Sequence, residues 1–60
     1  MKTLRRGISY NMACSILEAN HYGVTDTKHS FKYDCTIFYN KDKVSVARYF
    51  EKTGKLQVRG

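Results

Sequence analysis

Four side chains that can ligate zinc or take part in acid–base chemistry are spread along the sequence: Cys14, His21, His29 and Cys35. Successive members are seven, eight and six residues apart. Structural zinc sites instead use close pairs such as C-x2-C or H-x3-H. Cysteine in a core, or histidine at the end of a helix, is also an ordinary structural choice. We therefore predict neither a bound metal nor a cofactor.

A catalytic arrangement can be drawn from the same residues. A metal-independent ribonuclease could use His29 and His21 as base and acid, with a tyrosine and with Arg48 stabilising the phosphate. No spacing in the sequence requires such a site. The sequence also has no glycine-rich phosphate loop, nucleophile elbow or paired-carboxylate motif. We therefore expect a protein that binds a partner and not an enzyme.

The balance of charge favours an anionic partner. The sequence has 11 Lys and Arg against 5 Asp and Glu, a formal net charge of +6 on 60 residues. Such a charge attracts nucleic acids and acidic surfaces over a long range. The alternative is that the charge only keeps a small protein in solution.

Size and cysteine content limit the class of protein. Sixty residues make one domain at most, and a chain this short buries only about 60% of its unfolded surface, so a homodimer is an open alternative. Two cysteines are too few for a disulfide framework, and the first residues lack the apolar stretch of a signal peptide. No segment has the apolar length needed to span a membrane. We expect a cytoplasmic protein.

The N-terminal third has the pattern of an amphipathic helix. One apolar stripe contains Leu4, Ile8, Met12, Ala13, Ile16 and Leu17. Gly7 interrupts the stripe and Ser9 is a favourable N-cap. We therefore predict a helix over residues 10–22 and an arm over residues 1–8 that could instead form a short strand. Gly23 suits the left-handed position after the helix, and residues 24–30 are predicted to be a connection.

Residues 31–60 are predicted to form a three-stranded antiparallel meander, because apolar residues occupy every odd position from Phe31 to Tyr39. A four-residue loop at 40–43 keeps Tyr39 and Val44 on the buried face. An odd-length loop would place Ser45 opposite Tyr39 and turn Val44 and Val46 to solvent.

A second hairpin is predicted with Phe50 opposite Leu56 and the turn Lys52-Thr53-Gly54. The predicted fold class is thus α+β. It is a single small domain over residues 1–60, in which an N-terminal helix packs on one face of a three-stranded antiparallel β-meander.

This register places two aromatic residues, Phe38 and Tyr49, on the face turned away from the helix. Open sheets bind single-stranded nucleic acids with aromatic rings that stack on bases and with Lys and Arg on the backbone. The predicted nucleic-acid contacts are Lys32, Phe38, Lys43, Tyr49, Lys55, Gln57 and Arg59. Alternatively, the arm, a second copy or a partner protein covers these rings.

Arg48 falls on the predicted buried face, opposite Cys35 and Val58. An unpaired buried guanidinium costs several kcal/mol, so we expect an ion pair with Glu18 or a route past the helix end to solvent. A functional anion contact at the helix edge is the alternative.

The sequence thus predicts a small basic, non-enzymatic regulator that binds single-stranded RNA or DNA through an open sheet face. The alternative is a phage- or plasmid-type inhibitor that binds an acidic surface of a host protein. Neither interpretation involves a membrane.

Overall fold

The computed structural model describes residues 1–59, which form one helix and five strands. In chain order these are β1 (Lys2–Arg5), α1 (Tyr10–Ala19), β2 (Val24–Ser30), β3 (Cys35–Asn40), β4 (Ser45–Phe50) and β5 (Lys55–Val58). All strand pairs are antiparallel, in the order β1-β5-β4-β3-β2. The α+β class is right in outline, but the three-stranded meander is wrong. Gly60, the last residue of the predicted sheet segment, lies outside the described residues.

Two strands outside the predicted meander form the edges of the sheet. One is the short strand that was the alternative for the arm, and the other was missed. The predicted arm contains β1, which pairs with β5. The predicted connection is β2, which pairs with β3. Four consecutive residues of β2 are exposed, so no hydrophobic alternation marks it. Both edge strands carry a register shift, between Thr3 and Arg5 and between Val24 and Asp26. Such bulges and exposed charges discourage edge-to-edge pairing with another chain.

Helix α1 begins where its cap predicts and ends earlier than expected. The Ser9 hydroxyl accepts a hydrogen bond from the Met12 N–H at 3.1 Å, which confirms the predicted N-cap. At the other end His21 adopts the left-handed conformation (φ 58°). Its N–H donates to the Glu18 carbonyl, and the Tyr22 N–H donates to the Leu17 carbonyl. This pair of bonds is a Schellman motif, so the helix stops at Ala19 rather than near Tyr22.

The helix covers the face of the sheet that was expected to be open. Phe38 and Tyr49 are 1% and 5% exposed, and the ring of Tyr10 on α1 contacts both, at centroid distances of 5.9 and 5.7 Å. The Tyr49 hydroxyl donates to the Ile8 carbonyl at 2.6 Å. The remaining buried core residues around them are Ala13, Leu17, Val46, Ala47, Leu56 and Val58. The predicted assignment of the two faces is therefore wrong for β3 and for residues 47–50 of β4, but it is right for β5, where Leu56 and Val58 face the helix and Gln57 does not.

Two differences in register explain this inversion. In the second hairpin Phe50 pairs with Lys55 and Tyr49 with Leu56, one residue away from the predicted pairing. A slip of one residue moves every side chain of a strand to the other face, so Leu56 lies beside Tyr49. In the first hairpin Ser45 does lie opposite Tyr39, contrary to the prediction.

A bulge in β4 keeps Val46 in the core, although this loop was expected to expose it, whereas Val44, the other valine expected to be exposed, is 36% exposed. Tyr39 pairs with Ser45 and Phe38 with Ala47, which leaves Val46 as the extra residue. Both Val46 and Ala47 are buried in the core. A bulge thus reverses which alternate residues of the strand face the core, and counting along the sequence does not anticipate this reversal.

Within residues 1–59, no helix has the length and hydrophobicity needed to cross a bilayer.

The two faces of β3 give a direct test of the fold. Phe38→Ala should lower the free energy of unfolding by about 3–5 kcal/mol, because a buried ring is removed. Ile37→Ala should cost less, about 1–2 kcal/mol, because Ile37 is half-buried. Urea denaturation measures both. A larger loss for Ile37→Ala would contradict the assignment of faces.

Gly54 is the position where a side chain fits least. Its φ is +66°, and an added Cβ would lie 2.8 Å from the backbone N and O of Ile8. Gly54→Ala should therefore destabilise the fold more than Gly23→Ala, whose φ is +68° but whose surroundings are open. We expect a loss of about 1–2 kcal/mol at Gly23 from conformation alone. Equal shifts in the urea midpoint would mean that the contact with Ile8 is absent in solution.

Candidate functional site

The face of the sheet that α1 does not cover carries a mixed basic and aromatic surface, which we call the open face. Its residues form three rows of cross-strand neighbours. The first row is Asp26, Tyr39 and Ser45, the second is Lys28, Ile37, Arg48 and Gln57, and the third is Ser30, Cys35, Phe50 and Lys55. Most of their side chains are half-buried, whereas the helix side of β3, β4 and β5 is fully buried. The open face is thus partly accessible along its whole length.

Arg48 lies at the centre of the open face, not on the helix side. It stands between Ile37 on β3 and Gln57 on β5, so the predicted ion pair with Glu18 on the helix does not form. Within residues 1–59, no carboxylate lies within ion-pair distance of Arg48. Its Nε atom is buried and has no hydrogen-bond partner among the described residues. The guanidinium therefore keeps an uncompensated charge and an unused donor.

Arg48 also influences the neighbouring Cys35, which is fully buried although it lies on the open face. Burial raises the pKa of the Cys35 thiol, and the positive charge of Arg48 only partly offsets this rise. Asp34 raises the same pKa further. Cys35 is thus a neutral packing residue, and it does not supply a counter-charge for Arg48.

Two aromatic rings flank Arg48 along the strands. Tyr39 lies in the first row and Phe50 in the third, which places them about 13 Å apart along the strand direction. The Lys55 ammonium lies 4.7 Å from the centre of the Phe50 ring. An exposed cation–π contact of this kind is worth about 0.5–1 kcal/mol. A stacked base is worth about 1–3 kcal/mol and can displace the lysine.

One end of the open face deepens into a cleft of about 560 Å³, which we call the lysine cleft. It is lined by Thr25, Asp26, Lys28, Tyr39, Asn40, Lys41 and Lys43. The three lysines come from two separate elements, β2 and the turn between β3 and β4. Basic groups that are distant in sequence thus converge on one concave surface.

At the other end of the face, residues 31–34 form an exposed turn. Phe31 is 89% exposed and Tyr33 is 58% exposed. Two side-chain contacts connect the end of this turn to its neighbours, because Asp34 lies 3.7 Å from His29 and 3.4 Å from Lys52. The His29 ring also packs edge-on against Phe31 at 4.8 Å. Sequence analysis placed this segment in a strand, but β3 begins only at Cys35.

A second concavity of about 550 Å³ lies between α1 and β2. Cys14 and His21 line it together with Glu18. The other two metal-ligand candidates, His29 and Cys35, belong to β2 and β3 and do not line this groove. In the described part of the chain, no three His, Cys, Asp or Glu side chains come together as a metal site.

The structure separates the predicted contact residues. Phe38 and Tyr49 are enclosed between sheet and helix. Lys55 and Gln57 lie on the open face with Arg48. The other three predicted contacts lie at the periphery: Lys32 in the exposed turn, Lys43 in the lysine cleft and Arg59 just after β5.

Sequence analysis missed Lys28, Ile37, Tyr39, Lys41 and Phe50. Three of them, Ile37, Tyr39 and Phe50, were missed because they occupy the alternating apolar positions that were assigned to the core. The β-branched threonines that alternate in VTDTKHS are the signal that could have identified β2 and its lysine.

The basic residues all lie outside the helix. Helix α1 contains no Lys or Arg, so all 11 basic residues belong to the strands and loops. The charged residue that the helix does carry, Glu18, is acidic. The positive charge that attracts an anion is thus carried by the strands and loops.

Comparison of the chain with protein-family models, with curated proteins and with solved structures found no match.

Replacing Arg48 tests whether its charge contributes to the fold. Arg48→Met keeps most of the apolar stem and removes a buried donor that has no partner in the described part of the chain. We expect the free energy of unfolding to stay the same or to rise by up to about 1–3 kcal/mol. The control is Arg6→Met, an exposed loop position, which should change it by less than about 0.5 kcal/mol. A loss of more than about 2 kcal/mol in Arg48→Met would show that the guanidinium has a structural partner.

Proposed function

We propose that this protein binds single-stranded nucleic acid through the open face, with Arg48 as the central phosphate contact. The observation that carries the proposal is the position of Arg48, half-buried in the middle of the open face without an ion-pair partner in residues 1–59. The buried Nε donor of Arg48 has no partner in these residues, and an anion at this position would accept a hydrogen bond from it. A phosphate accepts two parallel hydrogen bonds from the planar guanidinium.

The rings beside Arg48 support a single strand as the ligand. Tyr39 and Phe50 are half-buried on the open face and can each stack on one unpaired base. Other open sheets bind two or three bases of single-stranded RNA in this way. The bases of a duplex are already stacked and paired, so these rings would have no counterpart there.

The width of the sheet also argues against a duplex groove as the target. Five strands at about 4.8 Å spacing make a surface roughly 19 Å across. The major groove of DNA is only about 12 Å wide and admits a helix or a two-stranded ribbon. The open face is better suited to a flexible strand laid across it.

A homodimer through the open face is disfavoured by charge. Two copies face to face would each bring Lys28, Arg48 and Lys55, with Asp26 as the acidic residue of the three rows. Like charges brought together in a dry interface cost several kcal/mol. An anionic partner turns the same charges into attraction.

The proposal requires no catalysis, metal or cofactor. The two cysteines are free thiols, which is the usual state in a reducing compartment. A cytoplasmic location, where single-stranded RNA is abundant, is therefore part of the proposal. An acidic surface of a host protein is the competing partner, and the test below separates the two.

Binding is tested with short single-stranded RNA and DNA of several sequences by titration calorimetry. Five basic residues, Lys28, Arg48, Lys55, Lys41 and Lys43, can neutralise about five phosphates, so log affinity should fall with log salt at a slope near −3.5. Arg48→Met should weaken binding about 10- to 100-fold. Tyr39→Ala should also weaken it, whereas Arg6→Met should have little effect beyond its single charge.

Two results would overturn the proposal. One is the absence of salt-dependent binding to any oligonucleotide. The other is equal binding by wild type and the Arg48→Met variant, with both folded. If the protein instead retains one acidic protein from a lysate after nuclease treatment, and the Arg48→Met variant does not, the open face is a protein-binding surface.

A further inference from the structure

The lysine cleft lies where the open face ends, beside the turn that joins β3 to β4. Lys28 comes from β2, Lys41 and Lys43 from the turn, and Tyr39 contributes a ring to the same cleft. A nucleic-acid strand that lies on the open face over Arg48 therefore reaches a concave basic site at this end of the face. The other end has the exposed turn with Phe31 and Tyr33 instead.

The backbone that carries the cleft lysines is held in place. The Asn40 side chain accepts hydrogen bonds from the N–H groups of Asp42 and Val44, at 2.9 and 3.0 Å. The Lys43 N–H donates to the Asn40 carbonyl at 2.9 Å. Lys43 itself has a φ of 61°, a conformation that a non-glycine residue adopts only where its surroundings fix it. The turn is therefore a preformed scaffold for Lys41 and Lys43.

The net positive charge of the residues that line the cleft is larger than the single negative charge of one internal phosphate. Three lysines face one lining carboxylate, Asp26. That carboxylate already accepts a hydrogen bond from the Thr27 N–H at 2.8 Å. Among the side chains that line the cleft, two positive charges thus remain unbalanced, because Asp42, between Lys41 and Lys43 in the turn, is not part of the lining. A phosphodiester carries one negative charge, whereas a phosphate monoester carries about 1.5 to 2 at neutral pH.

In a nucleic-acid strand, a phosphate monoester occurs only at an end. We propose that the lysine cleft holds the terminal phosphate monoester of the bound strand, with the terminal base stacked on Tyr39. This inference rests on the proposed function and makes it specific. The next nucleotides then cross Arg48 toward Phe50, so the protein binds strand ends in preference to the interior of a strand.

The test uses one six-nucleotide sequence in three forms, with a 5′-phosphate, with a 3′-phosphate, or with hydroxyl groups at both ends. Titration calorimetry on the whole protein compares their affinities at one salt concentration. One of the two phosphorylated forms should bind at least about tenfold more tightly than the hydroxyl form. The double variant Lys41→Gln, Lys43→Gln should lose this preference.

A matched control removes the same charge elsewhere. The double variant Arg5→Gln, Arg6→Gln, at exposed positions outside the cleft, should weaken all three forms alike and keep the preference. Circular dichroism checks that both double variants remain folded. Inorganic phosphate at millimolar concentration should weaken the phosphorylated form more than the hydroxyl form.

The outcomes separate this inference from the function on which it rests. If all three forms bind equally and with strong salt dependence, the cleft contacts only internal phosphates, and the proposed function survives without the terminal site. A preference that persists in the Lys41→Gln, Lys43→Gln variant would place the terminal phosphate elsewhere and overturn the inference. Inorganic phosphate that binds as tightly as the phosphorylated strand would make the cleft a free-phosphate site. If no form binds, both proposals fail.

Discussion

A helix of ten residues, about 15 Å long, can cover only one face of this five-stranded sheet. Ala13 on the helix and Ala47 on β4 are both fully buried in the contact between helix and sheet. The larger side chains Phe38, Tyr49 and Leu17 fill the space around this contact. This packing commits one side of β3, β4 and β5 to the core. The opposite side is left half-accessible, and the properties of the open face follow from that division.

The elements that sequence reasoning found correctly are those with strong local signals. Ser9 marks the start of α1, and the last three strands occur in the predicted order. The choice of face failed because β3 and β4 carry apolar residues on both parities. Ile37 and Phe38 are adjacent in β3, as are Tyr49 and Phe50 in β4. Such a pattern fits either face, and only the packing with the helix decides between them.

The candidate site was partly predictable for the same reason. Arg48 was recognised as an anomaly because a charge on a central strand needs an explanation in either register. Its surroundings were not predictable, since Lys28 belongs to a strand with no hydrophobic alternation and Lys41 acts only through the folded turn. The lysine cleft brings together residues up to 18 positions apart, from Thr25 to Lys43. Spacing along the chain does not show convergence of that kind.

The pairing of β1 with β5 has a consequence for how the molecule assembles. Lys2 lies opposite Val58, so the first strand has no partner until β5 (Lys55–Val58) has been synthesised. The hairpins formed by β2, β3, β4 and β5 are local and can form earlier. During translation, the β1 segment is therefore made before its partner β5. Its charged residues Lys2 and Arg5 help to keep this unpaired segment from aggregating while it waits.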